Sequence, residues 1–212
     1  MAQFFTVHPD NPQPRLIRAA VDIIRRGGVV AYPTDSCYAL GCHIGDKAAM
    51  ERLRRIRDVD ERHHFTLMCR SLSEVSLFAK VDNLQYRLIR ANTPGRYTFI
   101  LRATRDVPRR LLTPRHTICV RIPAHPVPMA MLEQLDEPLL STTLILPAHG
   151  VALNDAEEIR HHLEHHVDLV IDSGACDGEV TTVVDLSGEA PKLVREGAGD
   201  TRPFGFVKAA LH

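Results

Sequence analysis

Apolar residues recur at helical spacing over Pro12–Arg26, where Leu16, Ile17, Ala20, Val21 and Ile24 share one stripe before Gly27-Gly28 stops it. A short apolar run from Val29 then predicts a buried strand, broken at Pro33 and followed by the hydroxyl-rich turn Thr34-Asp35-Ser36. Asp46 is placed to cap a second helix. Its Ala49, Met50, Leu53 and Ile56 form the inner stripe, and Arg52, Arg54 and Arg55 the outer face, with Arg57 at the end. Phe65–Cys69 reads as a strand, Ser71-Leu72-Ser73-Glu74 as a capping box opening a short helix, and Asp82–Ala91 as another helix. Thr93-Pro94-Gly95 breaks that helix and leads into a strand, Tyr97–Arg102.

A basic helical turn at Pro108–Leu112, a strand at Thr117–Pro123, a helix at Pro126–Leu135 and a hydroxyl-rich strand at Pro138–Leu146 come next. Asn154 or Asp155 caps a helix running through His166. Three short strands follow, Asp168–Gly174, Thr181–Leu186 and Lys192–Glu196, and the Gly/Pro-containing tail up to His212 reads as loose. Helices and strands alternate early and strands cluster late. That order predicts an α/β fold with a twisted, mixed parallel/antiparallel sheet and packed helices. No repeat or linker divides the chain, so residues 1–212 are expected to form one domain.

Composition adds little to this picture, but charge does. The 212 residues suffice for one substantial core. The opening Met1–Pro9 has neither a basic nor an apolar segment of the secretory kind, and no apolar run approaches the ~20 residues that cross a bilayer, so a cytoplasmic protein without membrane contact is expected. Five scattered cysteines without a C-x-x-C argue for reduced thiols. Residues 1–130 hold 21 Lys plus Arg against 11 Asp plus Glu, and the remainder 5 against 15. Net charges of +10 and −10 thus lie in different parts of the chain, which suggests a basic face for a polyanion. Only four of the cations are lysines, and arginine is the better bidentate partner for phosphate.

The chain carries no P-loop, G-x-G-x-x-G, H-E-x-x-H or G-x-S-x-G. What it offers are hydroxyls and arginines at strand ends: Thr34 and Ser36, Thr117 and Arg121, Ser141 and Thr143, Thr181 and Thr182, and Arg195. Threonine also favours strands for packing reasons alone. If these ends converge, they form a cleft of neutral donors and fixed positive charge, suited to a phosphate ester and a small zwitterion. His161-His162-Leu163-Glu164-His165-His166 sets two histidine pairs at i, i+4, a metal-compatible spacing without a third ligand; it reads as a solvated helix end in preference, and no metal site is assigned. His63-His64 lies in a polar loop and could meet phosphate or equally be surface. Cys37 lies beside the polar turn, but no base pairs with it in the sequence, and no covalent catalyst is assigned.

Taken in order, these strings resemble one family. Pro33-Thr34-Asp35-Ser36-Cys37-Tyr38-Ala39-Leu40-Gly41 is similar to the P-T-[ED]-T-x-Y-G-L-G opening of the YrdC-like superfamily of threonylcarbamoyl-adenylate synthases. Thr93-Pro94-Gly95 with Thr98-Phe99, Thr117–Pro123 followed by His125-Pro126, Thr181–Asp185 and Val194–Gly197 extend the match over about residues 14–197. The intervening wording, HFTLMCR and TPRHTICVRIP among it, is similar to the YciO branch.

The resemblance implies a YrdC-like fold with a deep, concave, positively charged surface. It implies an enzyme that joins L-threonine, bicarbonate and ATP into threonylcarbamoyl-AMP and pyrophosphate, the first step of the tRNA t6A modification, with Mg2+ accompanying the ATP. Carried over position by position, Thr34, Arg121, Ser141 and Thr181 would hold threonine, and Arg57, Thr117, Thr143 and Arg195 the nucleotide, with Arg57 and Arg195 in the electrostatic role. Two signatures depart from the pattern. K-x-R is replaced by Arg57-Asp58-Val59 and S-x-N by Thr143-Leu144-Ile145, so weakened or altered synthase activity is expected. The alternative reading is a protein that binds double-stranded RNA or tRNA without efficient synthesis.

Overall fold

The computed structural model describes residues 1–60 and 63–206. The remainder of the tail expected to be loose, 207–212, lies outside the described residues. Among the described residues eleven strands form one sheet: β1 (Gln3–Thr6), β2 (Val30–Tyr32), β3 (Ala39–His43), β4 (Thr66–Met68), β5 (Ala79–Lys80), β6 (Tyr97–Ala103), β7 (Thr117–Arg121), β8 (Leu139–Thr143), β9 (Leu169–Asp172), β10 (Thr182–Asp185) and β11 (Lys192–Arg195). Their order is β1-β9-β2-β3-β8-β4-β7-β6-β10-β11, with β5 paired to β6. Parallel pairs (β1/β9, β2/β9, β4/β7, β6/β10) are mixed with antiparallel ones, as the alternation in the sequence requires.

The helices are α1 (Pro14–Arg25), α2 (Lys47–Arg57), α3 (Leu72–Phe78), α4 (Asn83–Asn92), α5 (Pro126–Leu135) and α6 (Ala156–Leu163). Their starts follow the sequence. Asp46, Ser71, Asp82 and Asp155 each accept a backbone N–H from the first turn, and Asp82 with Gln85 completes a capping box. The box expected at Ser71–Glu74 is only half made, because the Glu74 carboxylate accepts from Arg70 N–H instead of from Ser71. The tail also departs from expectation. Phe204 is buried against Tyr97 and Phe99, and Gly199 O accepts from the Thr182 hydroxyl at 2.7 Å, so residues 197–206 pack on the sheet.

Alternation along the strands sorts two cores. Val30, Tyr32, Leu169 and Ile171 face α1 and α5 on one side, while Ala31, Leu40, Val120, Leu140 and Val170 belong to the cluster on the other. Helices α1 and α5 pack against each other over the β1-β9-β2-β3 part of their face. The rest of that face, over β8, β4, β7, β6 and β10, carries the polar members of the strand alternation: Ser141, Thr143, Thr66, Arg121, Thr98 and Thr181. It forms the floor of a cavity.

Candidate functional site

Register places the floor. Ser141 on β8 pairs with Thr66 on β4, Thr66 with Cys119 on β7, and Met68 with Arg121. The side chains of one row therefore stand side by side on one face. The cavity measures about 140 Å³ and is lined by three arginines, Arg57, Arg121 and Arg195, together with Ser36, Thr66, Thr98, Ser141, Thr142, Thr143 and Thr181. Among the described residues no carboxylate lines it. The arginines come from the end of α2, the end of β7 and the end of β11, so three distant parts of the sequence converge on one hollow.

Each arginine is held differently. Arg121 is nearly buried and donates from Nη2 to Asp35 Oδ1 at 2.6 Å and more weakly to Thr34 Oγ1 at 3.4 Å. Its Nε, and the second oxygen of Asp35, are buried without a hydrogen-bond partner. Arg57 donates to the carbonyl of Ile145, and its Nε is likewise buried and unmatched. Arg195 clamps Thr181, donating from Nε and Nη2 to its carbonyl at 3.1 and 2.9 Å and to its hydroxyl at 3.1 Å. Gly197 makes that clamp possible, since a Cβ there would come within 2.2 Å of Val180 O. Burial lowers the pKa of Arg57 and of Arg195, as low dielectric disfavours the charged form, yet guanidinium begins so high that both stay cationic. Buried donors without partners beside a polar cleft are what an anionic ligand would satisfy.

Of the sequence-predicted residues, Arg57, Arg121, Ser141, Thr143, Thr181 and Arg195 line the cavity. Thr34 and Thr117 do not. Thr34 is buried one layer behind. Its hydroxyl donates to Cys37 O at 2.7 Å and accepts from Ser36 N–H at 3.1 Å, closing the turn that carries Asp35 and Ser36. Thr117 shares the face of Cys119 and Arg121 but sits at the far end of β7, where its hydroxyl meets Thr113 Oγ1 at 2.8 Å. Ser141 lines the floor while bonded to the buried Tyr32 hydroxyl at 2.6 Å. The substituted signature positions take new tasks: Val59 N–H closes α2 on Arg54 O, Asp58 adopts a left-handed conformation (φ 49°), and Ile145 lines the wall.

Sequence reasoning did not pick out Thr142 or the Asp35 partnership with Arg121, which spans 86 residues. His63 marks the rim. Its Nε2 meets Thr142 Oγ1 at 3.1 Å, and burial, followed by nearby Arg57, His64 and Arg54, pushes its pKa down to about 4. It is therefore a neutral imidazole at pH 7. Together with His64 it also lines an outer basin of about 1300 Å³ that carries Lys80, Arg105, Arg109 and Arg110. Cys37 lines the cavity but is buried, and burial raises its thiol pKa; no base is bonded to it among the described residues.

The sequence model of the Sua5/YciO/YrdC group, described as telomere recombination, matches residues 22–197. The chain belongs to the Sua5/YciO/YrdC family. YciO of Escherichia coli K12 is 56% identical over 205 residues, covering 96% of this chain and all of that one. Its crystal structure superposes with a TM-score of 0.93 over the same shares. The threonylcarbamoyl-AMP synthase of Hydrogenovibrio crunogenus is 34% identical over 133 residues, 60% of this chain and 70% of the enzyme. Sua5 of Pyrococcus abyssi, solved in complex with L-threonine, matches at TM-score 0.83 and 25% identity, covering 92% of this chain and 57% of that longer protein. The family's mixed sheet is thus the fold seen here. No helix among the described residues is long and apolar enough to cross a membrane.

Proposed function

We propose that the 140 Å³ cavity binds L-threonine and that the chain is a threonylcarbamoyl-adenylate synthase of altered efficiency. The observation that carries the reading is the convergence of three arginines and a row of hydroxyls on one hollow that no carboxylate lines among the described residues, in a family that includes a Sua5 structure holding L-threonine. The hollow is smaller than the ~300 Å³ at which ordinary ligand pockets begin. It suits an amino acid, with most of a nucleotide outside it. The outer basin, entered past His63 and His64 and rich in cations, suits the remaining phosphates and nucleoside of ATP with its Mg2+.

In this reading Arg121 takes the threonine carboxylate, and Ser141 and Thr181 orient the amino acid. Bicarbonate condenses with the amine, releasing water. The resulting carbamate oxygen attacks the α-phosphorus, and pyrophosphate leaves. Arg57 and Arg195 stand where negative charge on the phosphoryl oxygens would be neutralised. Ile145 in the position of the family's asparagine supplies no amide donor, which fits slower turnover. The experiment is pyrophosphate release from ATP with threonine and bicarbonate, followed with the AMP-containing product. Release that depends on both co-substrates and falls about 10²–10³-fold in Arg195→Ala supports the reading; ATP turnover indifferent to threonine removes it. The basin's Lys80, Arg105, Arg109 and Arg110 also suit the backbone of a duplex RNA or tRNA, binding that must weaken steeply with salt.

A further inference from the structure

The histidine-rich end of α6 does not behave as helical spacing suggests. The helix stops at Leu163, and residues beyond it form a turn closed by His166 N–H on Leu163 O, so His165 and His166 lie past the end of α6. Another histidine takes their place. The loop after β8 folds back as Ile145 bridges Ala152, with Leu153 N–H on Leu144 O at 2.9 Å, and this carries His149 over the outer face of α6. There His149 lies edge-on to His162, ring centroids 4.7 Å apart, and its Nε2 is 4.0 Å from Glu158 Oε1. Glu158 and His162 are one helical turn apart. One ligand atom from each of the three residues lies within 4.8 Å of the others.

We propose that His149, Glu158 and His162 form a binding site for a divalent first-row transition ion, zinc in the first instance. Two imidazoles and one carboxylate are the donor set of an open zinc centre, and without thiolate the set disfavours Cu(I); with only one carboxylate it is a poor calcium site. Ligands at ~2.0–2.1 Å in tetrahedral array stand about 3.3 Å apart. The present spacing must therefore close by up to about 1.5 Å, which the exposed Glu158 and His162 and the half-buried His149 reach by small rotations. The His149 ring is uncommitted: its Nδ1 is buried with no hydrogen-bond partner, and its Nε2 is beyond hydrogen-bond distance of Glu158. Both imidazoles border a basin of about 790 Å³ whose wall includes Arg52 and Arg55. A fourth position on the ion thus opens to water or a small anion beside positive charge. The loop also connects to the cavity, since Ile145, four residues before His149, supplies the carbonyl that holds Arg57.

The test titrates Zn2+, and Co2+ as its spectroscopic stand-in, into the metal-stripped full chain against a chromophoric chelator. One ion per chain is expected, with Co2+ giving the absorption of a four-coordinate N/O site. His149→Ala, Glu158→Gln and His162→Ala should each weaken binding at least tenfold, while His161→Ala and His165→Ala change it less than twofold. Glu158 and His162 are exposed, so their variants should melt with the wild type in the absence of metal and keep the test meaningful if His149→Ala disturbs the loop. No stoichiometric binding, or affinity that survives Glu158→Gln and falls in His165→Ala, would overturn the site.

Discussion

Arg121 and Asp35 offer the sharpest test of how the cavity is built. Their side chains are 7% and 10% exposed, and the 2.6 Å contact joins the two, while Asp35 Oδ2 and Arg121 Nε are left unmatched. Replacing Arg121 by methionine removes the countercharge and leaves a buried carboxylate. Breaking a buried pair from one side typically costs about 3–5 kcal/mol. For a chain of this size that corresponds to a fall in Tm of roughly 6–20 °C. Replacing both partners, as in Arg121→Met with Asp35→Leu, removes the orphaned charge with its partner and should return stability to within about 1–2 kcal/mol of wild type. Urea unfolding of the four proteins in the cycle gives the coupling directly. A single variant that loses less than about 1 kcal/mol, or a double variant whose loss equals the sum of the singles, would refute the claim that Asp35 and Arg121 hold one another in place.

Thr34→Val should destabilise by about 1–3 kcal/mol, measured by urea unfolding, because Ser36 N–H and Arg121 lose a buried acceptor, even though Thr34 does not line the cavity. Phe204→Ala should cost about 3–5 kcal/mol, since the ring is buried against Tyr97 and Phe99; a change below 1 kcal/mol would mean that the tail is not part of the core. His63 gives a pH signature. The unfolded imidazole takes its proton near 6.5, while the folded one resists until about 4, so the unfolded chain binds more protons between those values and stability falls as pH drops through that window. His63→Phe should flatten that part of the stability–pH curve, and an unchanged slope would contradict the assignment.

Much of the architecture is legible in the sequence because helices announce their ends: Asp46, Asp82 and Asp155 cap where their side chains permit. Three strands are not legible. β3 follows the polar turn at once, and Ala39–Cys42 are buried, so no polar alternation marks it. β1 and β5 are short and gain their structure from a partner distant in sequence or from one strand edge. At the site, hydroxyls at strand ends look alike in the sequence, and only register separates them. Thr143 reaches the cavity, whereas Thr117, on the correct face of β7, lies at the wrong end of it. Thr34 has the right neighbours but spends its hydroxyl on the turn. The Asp35–Arg121 pair and the approach of His149 to α6 depend on chain folding over long loops and leave no local signal.

Calorimetric titration of L-threonine into the full chain tests most directly whether the hollow of arginines and hydroxyls recognises an amino acid. One saturable site is predicted, weakened about tenfold or more in Thr181→Val and in Ser141→Ala, as loss of a buried hydrogen bond to a ligand requires. No binding heat, or the same affinity in wild type and both variants, would contradict it.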